Sequence, residues 1–193
     1  RSSRALSPLP RTSLRQTQMR DDFCILILSY NRAGNIPTIT TLERHGYTGD
    51  WYIVIDNEED IGPYTAEYGD KVIYFDKDDT QPELDRGDNF DHRHAVVYAR
   101  HQSFEIAKDL GVDYFMVLDD DYTNFERRFN ADWEYEPKTL GSIEPFIEEA
   151  ITFMERADID AMATAQGGDF IGGKDSGFAQ YITAKRKVMN TWI

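Results

Sequence analysis

Three consecutive aspartates, Asp119, Asp120 and Asp121, close the stretch YFMVLDDDY directly after five apolar or aromatic residues. Carboxylates this close raise one another's cost of ionisation. A divalent cation removes that cost, and hard oxygen ligands suit magnesium, manganese or calcium. In an extended segment residues two apart point the same way, so Asp119 and Asp121 are expected to converge on one metal while Asp120 faces elsewhere. A solvated acidic turn is the competing reading. An EF-hand calcium loop does not fit: counting from Asp119, Asn124 stands where the glycine belongs and Asn130 where the bidentate glutamate belongs. A metal held by one or two carboxylates keeps positions for water and phosphate oxygens, so a diphosphate is the expected ligand.

Other residues bear on that ligand. No G-x-x-x-x-G-K-[ST] loop cradles a triphosphate, and no G-x-G-x-x-G turn follows the first apolar run. Arg93 and Arg100 lie near the start of a segment leading into the aspartates and can supply positive charge to phosphates, or merely pair on a helix surface. Phe125, Phe129 and Trp133 can stack on a base or sugar, fill a core, or hinge a lid. His92, His94, Asp88 and Asp91 would make a second metal site, against the plainer reading of solvated loop residues.

These groups need a scaffold. FCILIL (23 to 28) is a continuous apolar run, as expected of a strand covered on both faces. NRAGN makes a turn, and IPTITTLERHG reads as a helix with Asn35 as N-cap, Pro37 in its first turn and Gly46 after its end. WYIVI (51 to 55) and KVIYF (71 to 75) are further strands, each followed by an acidic loop. A long helix is expected from about Arg93 to Leu110, with Val96, Ala99, Ser103, Ile106, Ala107 and Leu110 on one face and Gly111 as its stop. YFMVL is the next strand. Ser142 can cap a helix striped by Phe146, Ile147, Ala150, Ile151 and Met154, and DAMATA (160 to 165) is a last strand. Alternating strands and helices imply a three-layer α/β/α domain with a mostly parallel sheet. Its ligand crevice lies beyond the carboxyl ends of the strands, where SYNRAGN, DNEED, DKDDTQPELDRGDNFDHRH, DDDYTNFERR and QGGDFIGGKDSG fall.

At 193 residues and 40% hydrophobic, the chain has the core for one domain over residues 21 to 193. Residues 1 to 20, rich in Ser, Pro and Arg, read as a flexible basic tail or a vector-derived segment ahead of Met19. They hold five arginines and no acid, leaving 16 basic against 35 acidic side chains, a net of −19. Such a body repels polyphosphate and argues against broad non-specific nucleic-acid binding, while leaving room for a local basic groove through Lys174, Lys185, Arg186 and Lys187. The single cysteine, Cys24, reads as a core residue. With no disulfide possible and no apolar run long enough to span a bilayer, a cytoplasmic location without membrane contact is expected.

Taken together, ILSYNR after the first strand, VIDNEED after the second, YAR opening a helix, YFMVLDDDY and a later glycine-rich loop resemble glycosyltransferases of the GT-A fold, whose Asp-x-Asp motif holds a metal bound to a nucleotide sugar. Within that fold, LSYNRAGNIPT, GYTGDWYIVIDNE, VVYARHQSFEIAKDLG, VLDDDYTNF and AQGGDFIGG look most like the TET-associated glycosyltransferases, found largely in bacteriophage genomes and thought to glycosylate hydroxymethylated pyrimidines in DNA. The resemblance spans about Asp22 to Ile193. It implies a manganese- or magnesium-dependent transfer of a sugar, from a UDP-sugar by preference, onto a DNA acceptor in the host cytoplasm.

Position by position, the resemblance puts Ser29, Tyr30, Asn31 and Arg32 around the nucleobase and Asp56 on the base or ribose. Arg93 and Arg100 join the nucleotide-sugar contacts, although His101 stands where related enzymes carry asparagine after the arginine. Asp119 contacts ribose or donor sugar and shares the metal with Asp121. Gly167 and Gly168 line the donor-sugar side, and Asp120 and Asp169 are the catalytic candidates. An inverting enzyme needs a carboxylate base near the acceptor hydroxyl. Beyond Lys174 only Asp175 is acidic, so the base is Asp169 or Asp175, or the natural protein continues past Ile193, which is the expectation. A metal-dependent nucleotidyltransferase and a non-catalytic nucleotide-sugar or DNA-binding module are the alternatives.

Overall fold

A computed structural model describes residues 19–80, 96–132, 134–164 and 193. Strand β1 (Phe23–Leu28) is followed by α1 (Pro37–Arg44), β2 (Asp50–Ile55), α2 (Glu58–Tyr68), a single 3₁₀ turn (Gly69–Lys71), β3 (Val72–Tyr74) and the short α3 (Lys77–Thr80). Then come α4 (Val97–Leu110), β4 (Tyr114–Asp119), the strands β5 (Glu126–Phe129) and β6 (Tyr135–Thr139), and α5 (Glu144–Ala157).

The first four strands form one sheet in the order β3-β2-β1-β4, every pair parallel. Side chains alternate across a strand, and the two cores follow that alternation. Phe23, Ile25, Ile27, Ile53, Ile55, Met116 and Leu118 face a core shared with Leu42 of α1, Tyr64 of α2 and the α5 stripe Ile147, Ala150, Ile151 and Met154. Cys24, Leu26, Leu28, Val54 and Val117 face the other core, with Tyr98, Ala99 and Ile106 of α4. The result is the three-layer α/β/α arrangement expected, GT-A-like, with helices on both faces of the sheet. Burial pushes the Cys24 thiol up to about 12, as befits a core residue. The described residues begin inside the expected tail: Met19 is buried, and Arg20 pairs with Asp22 while stacking on the Tyr114 ring. No helix among the described residues is long and apolar enough to cross a membrane.

Several local expectations need correction. The acidic stretch after β2 is not a loop but α2, capped by Asn57, whose Oδ1 accepts the Glu59 N–H at 3.3 Å. Glu58, Glu59 and Asp60 favour its positive N-terminal end, and the interior Pro63 with its neighbour Gly62 disguised it as a loop. The stretch after β3 likewise holds α3. The aspartates lead into an antiparallel β5-β6 ribbon that forms a separate sheet. Ser142 accepts the Glu144 N–H at 3.4 Å from one position before the N-cap, Ile143. Helix α4 is described from Val97, and Val96 is exposed rather than on its core face. Over the described part of 160 to 165 there is a single bridging residue, Ala163, in place of a strand, and Met162 exchanges two backbone hydrogen bonds with Ile193.

The start of α1 carries the most consequential correction. Its N-cap is Ile36, with no side-chain cap, and Pro37 follows at N1. Asn35 instead donates its backbone N–H to the Arg32 carbonyl at 2.9 Å, closing a turn. The helix amide that needs an acceptor, Thr38 N–H, donates to the Asp120 carbonyl at 3.3 Å. This cap comes from a residue remote in sequence, so no local signal announces it. Asn35→Ala is therefore expected to change stability by less than about 0.5 kcal/mol. Thr38→Val, which strands buried polar groups, should cost about 1–3 kcal/mol. Urea unfolding of the two variants checks this, and the reverse ranking would restore Asn35 as the cap.

Candidate functional site

In the sheet the chain steps outward from β1 to β2 to β3, then returns to lay β4 on the other side of β1. Open α/β sheets bind ligands beyond the strand ends where the order reverses in this way. The register pairs Leu28 with Asp119, so the loop after β1 stands directly against the acidic turn. A cleft of about 310 Å³ opens there, lined by Ser29, Tyr30, Arg32, Asp56, Lys77, Asp119 and Asp120 among others.

Alternation along β4 sorts the aspartates. Val117 faces the α4 side and so does Asp119, whose Oδ1 lies 3.6 Å from Arg100 Nη2. Leu118 faces the opposite side, and Asp120 turns with it: its Oδ2 accepts from Ser29 Oγ at 2.6 Å and its Oδ1 from Arg32 Nη1 at 2.8 Å. The strand ends at Asp119, so the period-two rule stops there. Asp121 sits in the following turn, solvent-exposed, with its Oδ2 at 3.8 Å from the same Arg32 Nη1. Burial raises the Asp119 pKa, the Arg100 guanidinium opposes that rise, and the charges of Asp121 and Asp120 add to it. Among the described residues no group of three or more His, Cys, Asp or Glu is placed to hold a metal ion.

The polar face of α1 clamps the backbone that carries these charges. Thr38 Oγ1 donates to the Asp119 carbonyl at 2.7 Å and accepts from Tyr122 N–H at 2.9 Å. Thr41 Oγ1 donates to the Tyr122 carbonyl at 2.9 Å, and Arg44 donates to the Thr123 carbonyl. His45 Nε2 lies 3.2 Å from Asn124 Oδ1, its ring meets Phe125 edge-on at 5.2 Å, and its Nδ1 is buried with no hydrogen-bond partner. Thr38, Thr41 and His45 are spaced three and four apart, so one helix face holds residues 119 to 125.

The predicted residues are therefore partly brought together. Ser29, Tyr30, Arg32, Asp56, Asp119 and Asp120 line one cleft, with Tyr30 exposed at 48%. Arg32, expected around the nucleobase, reaches across to the acidic turn. Asn31 is held by α2 rather than lining the cleft. Phe125 packs on Tyr122 and His45, and Phe129 pairs with Tyr135 inside the ribbon, so both have packing roles. Arg93, Gly167, Gly168, Asp169 and Asp175 lie outside the described residues, as do Trp133, the His92, His94, Asp88 and Asp91 group and the basic residues from Lys174 to Lys187.

Sequence reasoning missed Lys77 and Tyr64. Lys77 is buried and places Nζ 2.8 Å from Asp56 Oδ2, while Asp56 Oδ1 is buried with no hydrogen-bond partner among the described residues. The signal was present in DKDDT, one cation within an otherwise acidic stretch after a strand. A buried charge requires a partner, and the strand-end carboxylate Asp56 is that partner. Tyr64 carried no signal, being one aromatic in a segment read as a loop.

Residues 23–193 match a family model described as TET-Associated Glycosyltransferase. No curated protein and no solved structure matches the chain. A match running from the first residue of β1 across the whole cleft places the protein: the chain belongs to the TET-associated glycosyltransferase family and is a glycosyltransferase.

Proposed function

We propose that the chain moves a hexose from a nucleoside-diphosphate sugar, with UDP the favoured nucleotide, to a hydroxymethylated pyrimidine in DNA. The observation that carries the reading is the Leu28–Asp119 register, which sets the loop after β1 against the acidic turn in one cleft of a chain of this family. In this reading Tyr30 and Asp56 meet the base and ribose, and Lys77 fixes the Asp56 carboxylate through its Oδ2. Arg32 and Arg100 stand at the diphosphate, where fixed positive charge favours the departing anion. Both Asp120 oxygens are already engaged, so its task is to hold Arg32. Asp169 takes the proton of the acceptor hydroxyl as the new glycosidic bond forms and the bond from the sugar to the diphosphate breaks. Arg93, Gly167 and Gly168 complete the donor contacts.

Asp119 and Asp121 offer two hard carboxylates, and burial with like charge already disfavours the lone anion at Asp119, so this donor set suits magnesium or manganese. Held there, such an ion would supply Lewis-acid stabilisation of the leaving diphosphate.

The raised Asp119 pKa has a sign that can be tested. Its ionised form penalises the folded state; the penalty is absent below the unfolded value of 3.8, grows as pH rises through the folded value, and is complete above both. Asp119→Asn should therefore melt higher than the wild type at neutral pH and equally at about pH 3, while manganese raises the melting temperature of the wild type alone. A variant that melts lower at neutral pH contradicts the assignment. For the reaction, UDP-hexose and manganese are incubated with duplex DNA carrying hydroxymethylcytosine, and the nucleosides are weighed by mass spectrometry. A hexose mass on the modified base is expected, reduced on the order of a hundredfold in Arg100→Gln; transfer to other hydroxyl acceptors but never to this base would overturn the DNA acceptor.

A further inference from the structure

Two residues of α2 one helical turn apart, Asp60 and Tyr64, hold the loop after β1 without lining the cleft themselves. Asn31, in left-handed backbone with φ of 51°, donates its N–H to Asp60 Oδ2 at 3.0 Å. Arg32 donates its backbone N–H to Tyr64 Oη at 2.9 Å, and Tyr64 Oη lies 2.7 Å from Ser29 Oγ. All of this surrounds Asp120, whose carboxylate binds Ser29 and the Arg32 guanidinium.

Counting protons gives these bonds a direction. The Ser29 hydroxyl donates its one proton to Asp120 Oδ2. Ser29 Oγ must then accept from Tyr64, and Tyr64 uses a lone pair to accept the Arg32 amide. Burial raises the Tyr64 pKa, so the phenol keeps the proton this requires at neutral pH. The circuit runs from the Arg32 amide through Tyr64 and Ser29 to Asp120, and Arg32 closes it with Nη1. Each hydroxyl both donates and accepts, a pattern in which neighbouring bonds strengthen one another, and the carboxylate end is charge-assisted.

We propose that Tyr64 is a positioning residue, whose hydroxyl fixes the backbone of Arg32 directly and its guanidinium by way of Ser29 and Asp120. The guanidinium is thereby presented at the cleft wall, 3.8 Å from Asp121. That it meets a diphosphate there rests on the donor reading above; the hydrogen-bonded ring does not. Packing alone does not call for the hydroxyl, because phenylalanine would fill the same fully buried position.

The test compares Tyr64→Phe and Ser29→Ala with Tyr47→Phe, which removes a different buried phenol bond, the one to the Asp50 carbonyl at 2.8 Å. Modification of Arg32 by phenylglyoxal, followed by peptide mass spectrometry, should be about fivefold faster in the first two variants, the weight of one neutral hydrogen bond, and unchanged in Tyr47→Phe. Affinity for UDP with manganese should fall by about the same factor in the same two variants. Wild-type Arg32 reactivity in both Tyr64→Phe and Ser29→Ala overturns the proposal. If the wild type itself fails to bind UDP, the donor reading falls, and the arginine-modification rates still decide whether Tyr64 positions Arg32.

Discussion

Three carboxylates side by side at the end of one strand repel one another, and the fold both separates them and sets positive charge beside them. Here the strand pleat does the first task, sending Asp119 toward α4 and Asp120 toward the loop after β1. Arg100 and Arg32 do the second, one on each side of the sheet. What makes both possible is α1, whose threonines fix the backbone from Asp119 to Tyr122. The Thr38 amide in turn donates to the Asp120 carbonyl, so the helix and the turn each complete the other.

The electrostatics of the cleft contrast with those of the whole chain. A body with a net charge of −19 beyond its first twenty residues repels a diphosphate at long range. Around the cleft this is partly offset by Arg32, Lys77 and Arg100, each set against a buried or half-buried carboxylate. Asp119 keeps its charge at a cost, because burial outweighs the help of Arg100. Sites that keep such a group commonly give up stability for function, and a bound cation is what would relieve it. The cleft thus sets fixed positive charge beside an under-neutralised carboxylate, the two features on which the proposed diphosphate and metal sites rest.

Much of this was legible in the sequence, and what was not had two physical causes. The apolar runs of β1, β2 and β4 and the α5 stripe announced themselves through burial periodicity, which is local. The cleft residues after β1 and β4 followed from the rule that ligands sit beyond parallel strand ends. Helix α2 was hidden because Gly62 and Pro63 outvoted a good cap at Asn57. The α1 cap and the Tyr64 ring were hidden because each joins residues far apart in sequence, 82 positions in the case of Thr38 and Asp120, whereas Lys77 left a local signal in DKDDT. Side-chain and backbone bonds across elements leave no period and no motif. They become visible only when the register of the sheet is known.

The central claim is that the acidic turn is a metal and nucleotide site rather than a solvated surface. It is tested most directly by electron paramagnetic resonance of manganese titrated with protein and UDP, comparing the wild type with a variant carrying both Asp119→Asn and Asp121→Asn. The expected result is that free manganese signal disappears into a ternary complex with the wild type and remains at the level of the manganese–UDP mixture with the variant. Equal manganese uptake by the two proteins, or no uptake by the wild type beyond that of UDP alone, would contradict it.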